Sequence, residues 1–342
     1  MSYKRIVSLI AALLLLFQLA ACKVPGSGNA SDTPVPSEAL TEKPSAASTP
    51  EPTAAPTPAP TMAPHSASMN DNSAAHSQEV RYGETDELKE LYELAAQIGS
   101  RYGIYIYFAD SSPYWVYVGG ENKRLDDPAL IHSALETIDR ILAAYPDGFF
   151  DQLVYGELVC LDLYIVGFNS YGWSGYSTTY RLPDGMHNCV IVCSHEQYLI
   201  EGLNYVLPHE LTHVTDYRMK YVSEHEDGRL FSEESWMALN PEGFEYGWDN
   251  EEKSLEMYDR FSSYFSYSYG AENPLEDRAT LFGSLMRSYF EARPDASDRL
   301  SDNCCEKLEF YLSCLRDSFD TTGWPEKTSW EQALEVWQGG EH

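Results

Sequence analysis

The chain has 342 residues, 43% of them apolar or aromatic, and carries 23 Lys and Arg against 53 Asp and Glu, a formal net charge of −30. The length allows one sizeable domain or two closely packed halves. The sign of the charge excludes nucleic acid and anionic lipid surfaces as partners, because both would repel the protein.

Residues 1–22 open with Lys4 and Arg5, continue through an apolar run from Ile6 to Leu19 and end in Leu19-Ala20-Ala21-Cys22. A basic start and a short apolar stretch read as a secretory signal, and the run is too short to span a bilayer comfortably. Leu-Ala-Ala-Cys resembles the lipobox of bacterial lipoproteins. The resemblance implies that Cys22 is acylated, becomes the mature N-terminus and tethers the protein to the extracellular face of the cell membrane. Residues 23–80 are rich in Pro, Ala, Ser and Thr and nearly devoid of large apolar side chains. Such a segment cannot bury a core and acts as a semi-extended spacer. Residues 81–342 hold the globular part.

There, Leu88, Leu91, Ala95 and Ile98 recur at helical spacing, and a short strand-like run from Ile104 to Phe108 follows. Asp127-Pro128 opens a second helix with Ile131, Leu135, Ile138 and Leu142 on one stripe, and Pro146 closes it. Leu158 to Val166 and Cys189 to Cys193 read as strands, separated by a loop from Asn169 to Asn188 rich in Tyr, Trp, Gly and Ser. After His195 the pattern is mostly helical, with an irregular stretch from Ser223 to Asn250. Strands first and helices afterwards predict an α+β domain with a small mixed sheet and a mostly helical C-terminal half. Apart from Cys22, six Cys remain, at 160, 189, 193, 304, 305 and 314. Their number permits up to three disulfides outside the cytoplasm, although Cys189 and Cys193 share one strand face and are too far apart to pair with each other.

The chemistry begins at His209-Glu210-Leu211-Thr212-His213. Two imidazoles four residues apart lie one above the other on a helix and can hold one Zn2+, while Glu210 is turned toward the water beside it. Asn204 can cap this helix, with Pro208 in its first turn, and Leu207, Leu211 and Val214 form the stripe that packs it on the core. Asp216 lies on the same stripe as the His pair and can brace an imidazole from behind. An open catalytic position requires a third protein ligand, and the histidines after His213 are only His225 and His342. A carboxylate is therefore needed. Glu276 is the leading candidate, with Asp277 and Glu272 as alternatives. Glu276 also has a plain structural reading, since Asn273, Pro274 and Glu276 have the form of a helix capping box.

At Tyr269 and Glu276-Asp277-Arg278-Ala279-Thr280-Leu281-Phe282 the sequence resembles the zincin peptidases that include anthrax lethal factor and the Pro-Pro endopeptidases. In these, H-E-x-x-H is followed by a Tyr and, seven residues later, by the ligand Glu of an E-x-x-A-x-x-F pattern. Asn273 to Ala279 also resembles a segment of bacterial lipoproteins described as zinc-binding metallopeptidases. The resemblance covers two short stretches. It implies a zincin-like metallopeptidase domain, Glu276 as third ligand and Tyr269 as a hydrogen-bond donor to the oxyanion. Thr280 departs from lethal factor, which has a second Glu there; Asp277 or Asp216 would take its place.

These residues together predict metal-assisted hydrolysis of a peptide or protein substrate, with Glu210 as general base. Either a core role or pairing with an extended substrate suits the Cys189 to Cys193 strand. His187 and His195 read as surface or hydrogen-bonded residues. Trp173, Tyr176 and Tyr180 read as loop packing or as groove lining, and Trp236 and Tyr246 as core or as cover for the irregular segment. The alternatives are a non-catalytic surface lipoprotein with a structural zinc, for which Glu210 would have no use, and a hydrolase of cell-wall peptide cross-links.

Overall fold

The computed structural model describes residues 21–22, 86–108, 112, 122–248, 250–291 and 300–339. Most of the expected signal segment and the 23–80 spacer lie outside the described residues, and of Cys22 only the backbone is described.

The first two helices form where the apolar spacing puts them. Helix α1, Asp86–Tyr102, buries Leu88, Leu91, Ala95 and Ile98. Helix α2, Pro128–Leu142, starts where Asp127 Oδ1 accepts the backbone N–H groups of Ala129 and Leu130, and it buries Ile131, Leu135, Ile138 and Leu142. The main sheet holds β1 (Ala21–Cys22), β2 (Tyr105–Phe108), β4 (Leu158–Val166), β6 (Gly175–Leu182) and β7 (Gly185–Cys193) in the order β1-β6-β7-β4-β2. Strands β2, β4 and β7 run parallel, and β6 returns antiparallel to β7. A small antiparallel pair, β3 (Asn122–Lys123) with β5 (Phe168–Asn169), lies apart from it.

Two expectations change here. The expected loop from 169 to 188 contains β6 and the turn that joins it to β7. Its Gly, Ser and Thr residues form a strand because hairpin pairing to β7 satisfies their backbone. Strand β7 cannot be an edge, because β4 and β6 flank it; β6 lies outermost but for the two residues of β1, where Ala21 faces Tyr176 and Cys22 faces Gly175.

Helix α3, Gln197–His225, is longer at its start than the sequence suggests. Asn204 does not cap it; it lies in the interior, where its side chain accepts a hydrogen bond from Arg140 Nη2 at 2.7 Å. Pro208 is also interior. It removes a single N–H from a helix whose length is held by a buried face, and the helix runs on. Helices α4 (Glu233–Met237), α5 (Glu251–Phe261), α6 (Pro274–Glu291), α7 (Asp302–Ser318) and α8 (Ser329–Trp337) make the second half helical, and the whole is a mixed fold with a small mixed sheet, consistent with α+β.

Leu161, Leu163, Ile165, Val190 and Val192 turn one sheet face toward the main core, which α1, α2 and α3 complete. The other face carries Tyr164, Val166, Tyr176, Cys189, Ile191 and Cys193. All six described Cys residues after Cys22 are buried free thiols. The pairing that their even number permitted is not made, and their burial instead places them as small apolar groups in the packing.

Candidate metal centre

His209 and His213 stand one turn apart on α3, with ring centroids 5.0 Å apart. The third donor comes from the first turn of α6. Glu276 Oε2 lies 3.1 Å from His209 Nε2 and 3.6 Å from His213 Nε2. The helices approach closely at Gly283, where an added Cβ would meet the Tyr205 carbonyl oxygen at 3.1 Å and His209 Cβ at 3.2 Å. Glu276 itself is free of the capping role, which belongs to Asn273: its Oδ1 accepts the Glu276 backbone N–H at 3.0 Å, while the carboxylate turns to the imidazoles.

The competing carboxylates are engaged elsewhere. Asp277 Oδ2 receives Lys307 Nζ at 2.8 Å, Tyr246 OH at 2.7 Å and Trp236 Nε1 at 3.2 Å. Glu272 stands outside the group of converging donors. Asp216 does not brace a histidine: its Oδ2 accepts Arg278 Nε at 2.6 Å, and the same guanidinium pairs with Glu233 at 2.9 and 3.1 Å. A buried guanidinium needs its carboxylates more than a neutral imidazole does, which explains why Asp216 turns to α6. Asp216 and Asp277 thus anchor α6 through its Arg278 and through Lys307 of α7.

Burial dominates the electrostatics. It lowers His209 to about 3, against the backbone at Ala279, and it lowers His213 to about 4, against the attraction of Glu276. Both rings are neutral at physiological pH. Burial raises Glu276, while His213 and a hydrogen bond from Tyr269 favour its charged form. Tyr269 stands in a short turn, Ser268–Ala271, with its ring 6.4 Å from that of His209 and nearly parallel to it. Glu210 is fully buried, and an added Cβ on Gly175 of β6 would come within 3.0 Å of its Oε1.

The donor set fits a zinc ion. Two neutral imidazoles and a buried carboxylate bring one donor atom each within 4.8 Å of one another, and His213 Nε2 is buried with no hydrogen-bond partner. A divalent cation would supply positive charge to this cluster.

No family model and no curated protein matches the chain. Among solved structures it is similar to one described as a "putative zinc-binding metallo-peptidase from Bacteroides caccae ATCC 43185", at a TM-score of 0.37 and 12% identity, over 75% of this chain and 94% of that one.

The remaining aromatic and histidine expectations divide. Trp236 and Tyr246 are core residues, as read, and also hold Asp277. Trp173 packs edge-on to Tyr176, whose hydroxyl accepts from Asn122 Nδ2 at 2.7 Å. His187 takes the hydrogen-bonded one of its two readings: it is fully buried on β7, in a cluster with Cys160 and Asp162, and its ring nitrogens meet Asp162 and Asp184. That cluster escapes sequence reasoning because parallel pairing of β4 with β7 brings it together, with no fixed spacing to announce it.

Proposed function

We propose that this protein is a zinc-dependent peptidase of zincin type. The observation that carries the reading is that Glu276 closes a His209–His213–Glu276 donor set while a second buried carboxylate, Glu210, stays outside it beside Gly175. A structural site takes four protein donors and has no use for that extra carboxylate, whereas a catalytic site takes three and keeps one position open.

Bound zinc supplies a Lewis acid that polarises a carbonyl and makes water acidic near neutral pH. Glu210 takes the proton of the attacking water and delivers it to the leaving amine. Tyr269 donates a hydrogen bond to the oxygen on which negative charge develops. An extended substrate is accommodated along β6 rather than β7, because β7 is flanked by β4 and β6 while, among the described residues, Ser177 to Leu182 of β6 pair only with β7. We further propose that acylated Cys22 and the 23–80 spacer hold the domain outside the bacterial membrane. Among the described residues no helix is long and apolar enough to cross a membrane.

The test is incubation of the zinc-loaded chain with a diverse peptide library, the cuts being identified by mass spectrometry. Cleavage by the parent and none by Glu210→Gln is the expected result. Equal cutting by both variants would defeat the mechanism, and no cutting by a fully zinc-loaded parent would favour a binding lipoprotein with a structural ion. Cuts confined to cell-wall cross-link peptides would narrow the substrate and leave the chemistry unchanged.

A further inference from the structure

On the sheet face that carries Tyr164 and Ile191, three side chains unused by the proposed hydrolase converge. His187 Nδ1 lies 2.8 Å from Cys160 Sγ and 2.9 Å from Asp162 Oδ2, and Cys160 Sγ lies 3.3 Å from Asp162 Oδ1. None is more than 4% exposed. Behind the ring, Asp184 Oδ1 sits 2.9 Å from His187 Nε2. Strand parity produces the cluster: Cys160 and His187 are partners across β4 and β7, and Asp162 is two residues along, on the same face. The register slips just before Cys160, so the group stands where regular pairing of the two strands begins.

A hydrogen-bonded core histidine accounts for Asp162 and Asp184, and the thiol can donate to Asp162, but this leaves the sulfur crowded to 2.8 Å from Nδ1. Nδ1 has one proton or one lone pair to offer, and two heavy atoms lie within 2.9 Å of it. A nucleophilic thiol fails differently. The buried sulfur leaves no approach for a substrate.

A cation among the three atoms relieves the crowding at the sulfur, since it accepts sulfur, nitrogen and oxygen at once and neutralises the buried carboxylate. Asp184 then has the place usual for a carboxylate behind a ligating imidazole: it takes the Nε2 proton and leaves the Nδ1 lone pair facing the ion. The geometry points to a second metal site in this protein, with Cys160, Asp162 and His187 as ligands for Zn2+ or a comparably thiophilic divalent ion. Mixed sulfur, nitrogen and oxygen donors suit such an ion and not Mg2+ or Ca2+. Cys189, opposite Asp162 on the same face, stands outside the converging group. The ion would clip the β6–β7 hairpin to β4 at the middle of the sheet. The inference is independent of the hydrolase reading, because none of its ligands belongs to that centre.

The test uses the full chain in detergent, loaded with zinc and separately with cobalt. The parent should bind about two ions per chain and the His209→Ala/His213→Ala variant about one. Cobalt should give a near-ultraviolet thiolate-to-metal charge-transfer band in both, since the His209 centre holds no sulfur. Cys160→Ser should abolish the band, and His187→Gln should weaken binding at the same ion. If Cys160→Ser does not fold, the band in the two sulfur-intact proteins still decides. Binding of one ion that vanishes with His209 and His213, a cobalt form without the band, or a band that survives Cys160→Ser would each overturn the site.

Discussion

At the scale of single residues, the proposed roles of Glu210, Tyr269 and Glu276 separate by substitution, although Tyr269 also hydrogen-bonds Glu276. Glu210→Gln should keep the ion at His209 and His213 and lower kcat by about 10²–10⁴, the range for losing a positioned proton carrier; a variant within tenfold of the parent would contradict that role. Tyr269→Phe should lower kcat by about 10²–10³ with KM and zinc content little changed. Protonation of the ligands gives a further test. Two ordinary imidazoles would each lose about thirtyfold of their metal-binding form at pH 5. Here burial holds His209 near about 3 and His213 near about 4, so protons do not compete for either ring as pH falls from 7 to 5. Burial moves Glu276 the other way, toward its protonated form, so of the three ligands it is the one from which zinc would displace a proton. Competition with a chelator at several pH values should therefore show about one proton displaced per zinc at most, and a value near three would refute the assignment. The His pair was legible in the sequence because its spacing lies within one helix. Glu276 was the leading carboxylate from its place at a helix start, although its local pattern also fitted a cap, and the resemblance to other proteins strengthened that reading.

At the scale of elements, the centre depends on how closely α6 lies on α3 and on what holds it there. Gly283→Val should force the two helices apart at His209, costing about 1–3 kcal/mol of stability from overpacking and weakening zinc binding. Wild-type zinc affinity in a folded Gly283→Val protein would show that the close approach is not needed. The opposite side of α6 is fixed by Lys307, which is fully buried and 2.8 Å from Asp277. Lys307→Met leaves the Asp277 charge uncompensated and should cost about 3–5 kcal/mol in denaturant unfolding, with Lys307→Met/Asp277→Asn regaining part of it. Elements with apolar stripes, such as α1, α2 and β4, were readable from the sequence. Strand β6 was not, because Gly175 to Arg181 has no apolar alternation, and only pairing with β7 makes it a strand. The start of α3 was misread for a related reason: Pro208 resembles a first-turn residue until the buried face ahead of it is seen.

At the scale of the whole molecule, the proposed lipid anchor and spacer would hold the acidic domain off the membrane surface. Cys22→Ala should move the protein from the membrane fraction to the soluble one, and unchanged fractionation would point to an uncleaved N-terminal helix. The distribution of the three proposed zinc donors along the chain also has a consequence for assembly. His209 and His213 are brought together as soon as one helix turn forms, whereas Glu276 arrives from a helix far downstream that must first be seated by Arg278 and Lys307. Local contacts form early and distant ones late. A refolding chain should hold zinc weakly through the pair at first and acquire its final affinity only when α6 docks. The moment at which a chelator can no longer strip the ion would then mark the last step of folding, and Lys307→Met should delay that moment more than it delays the appearance of helix.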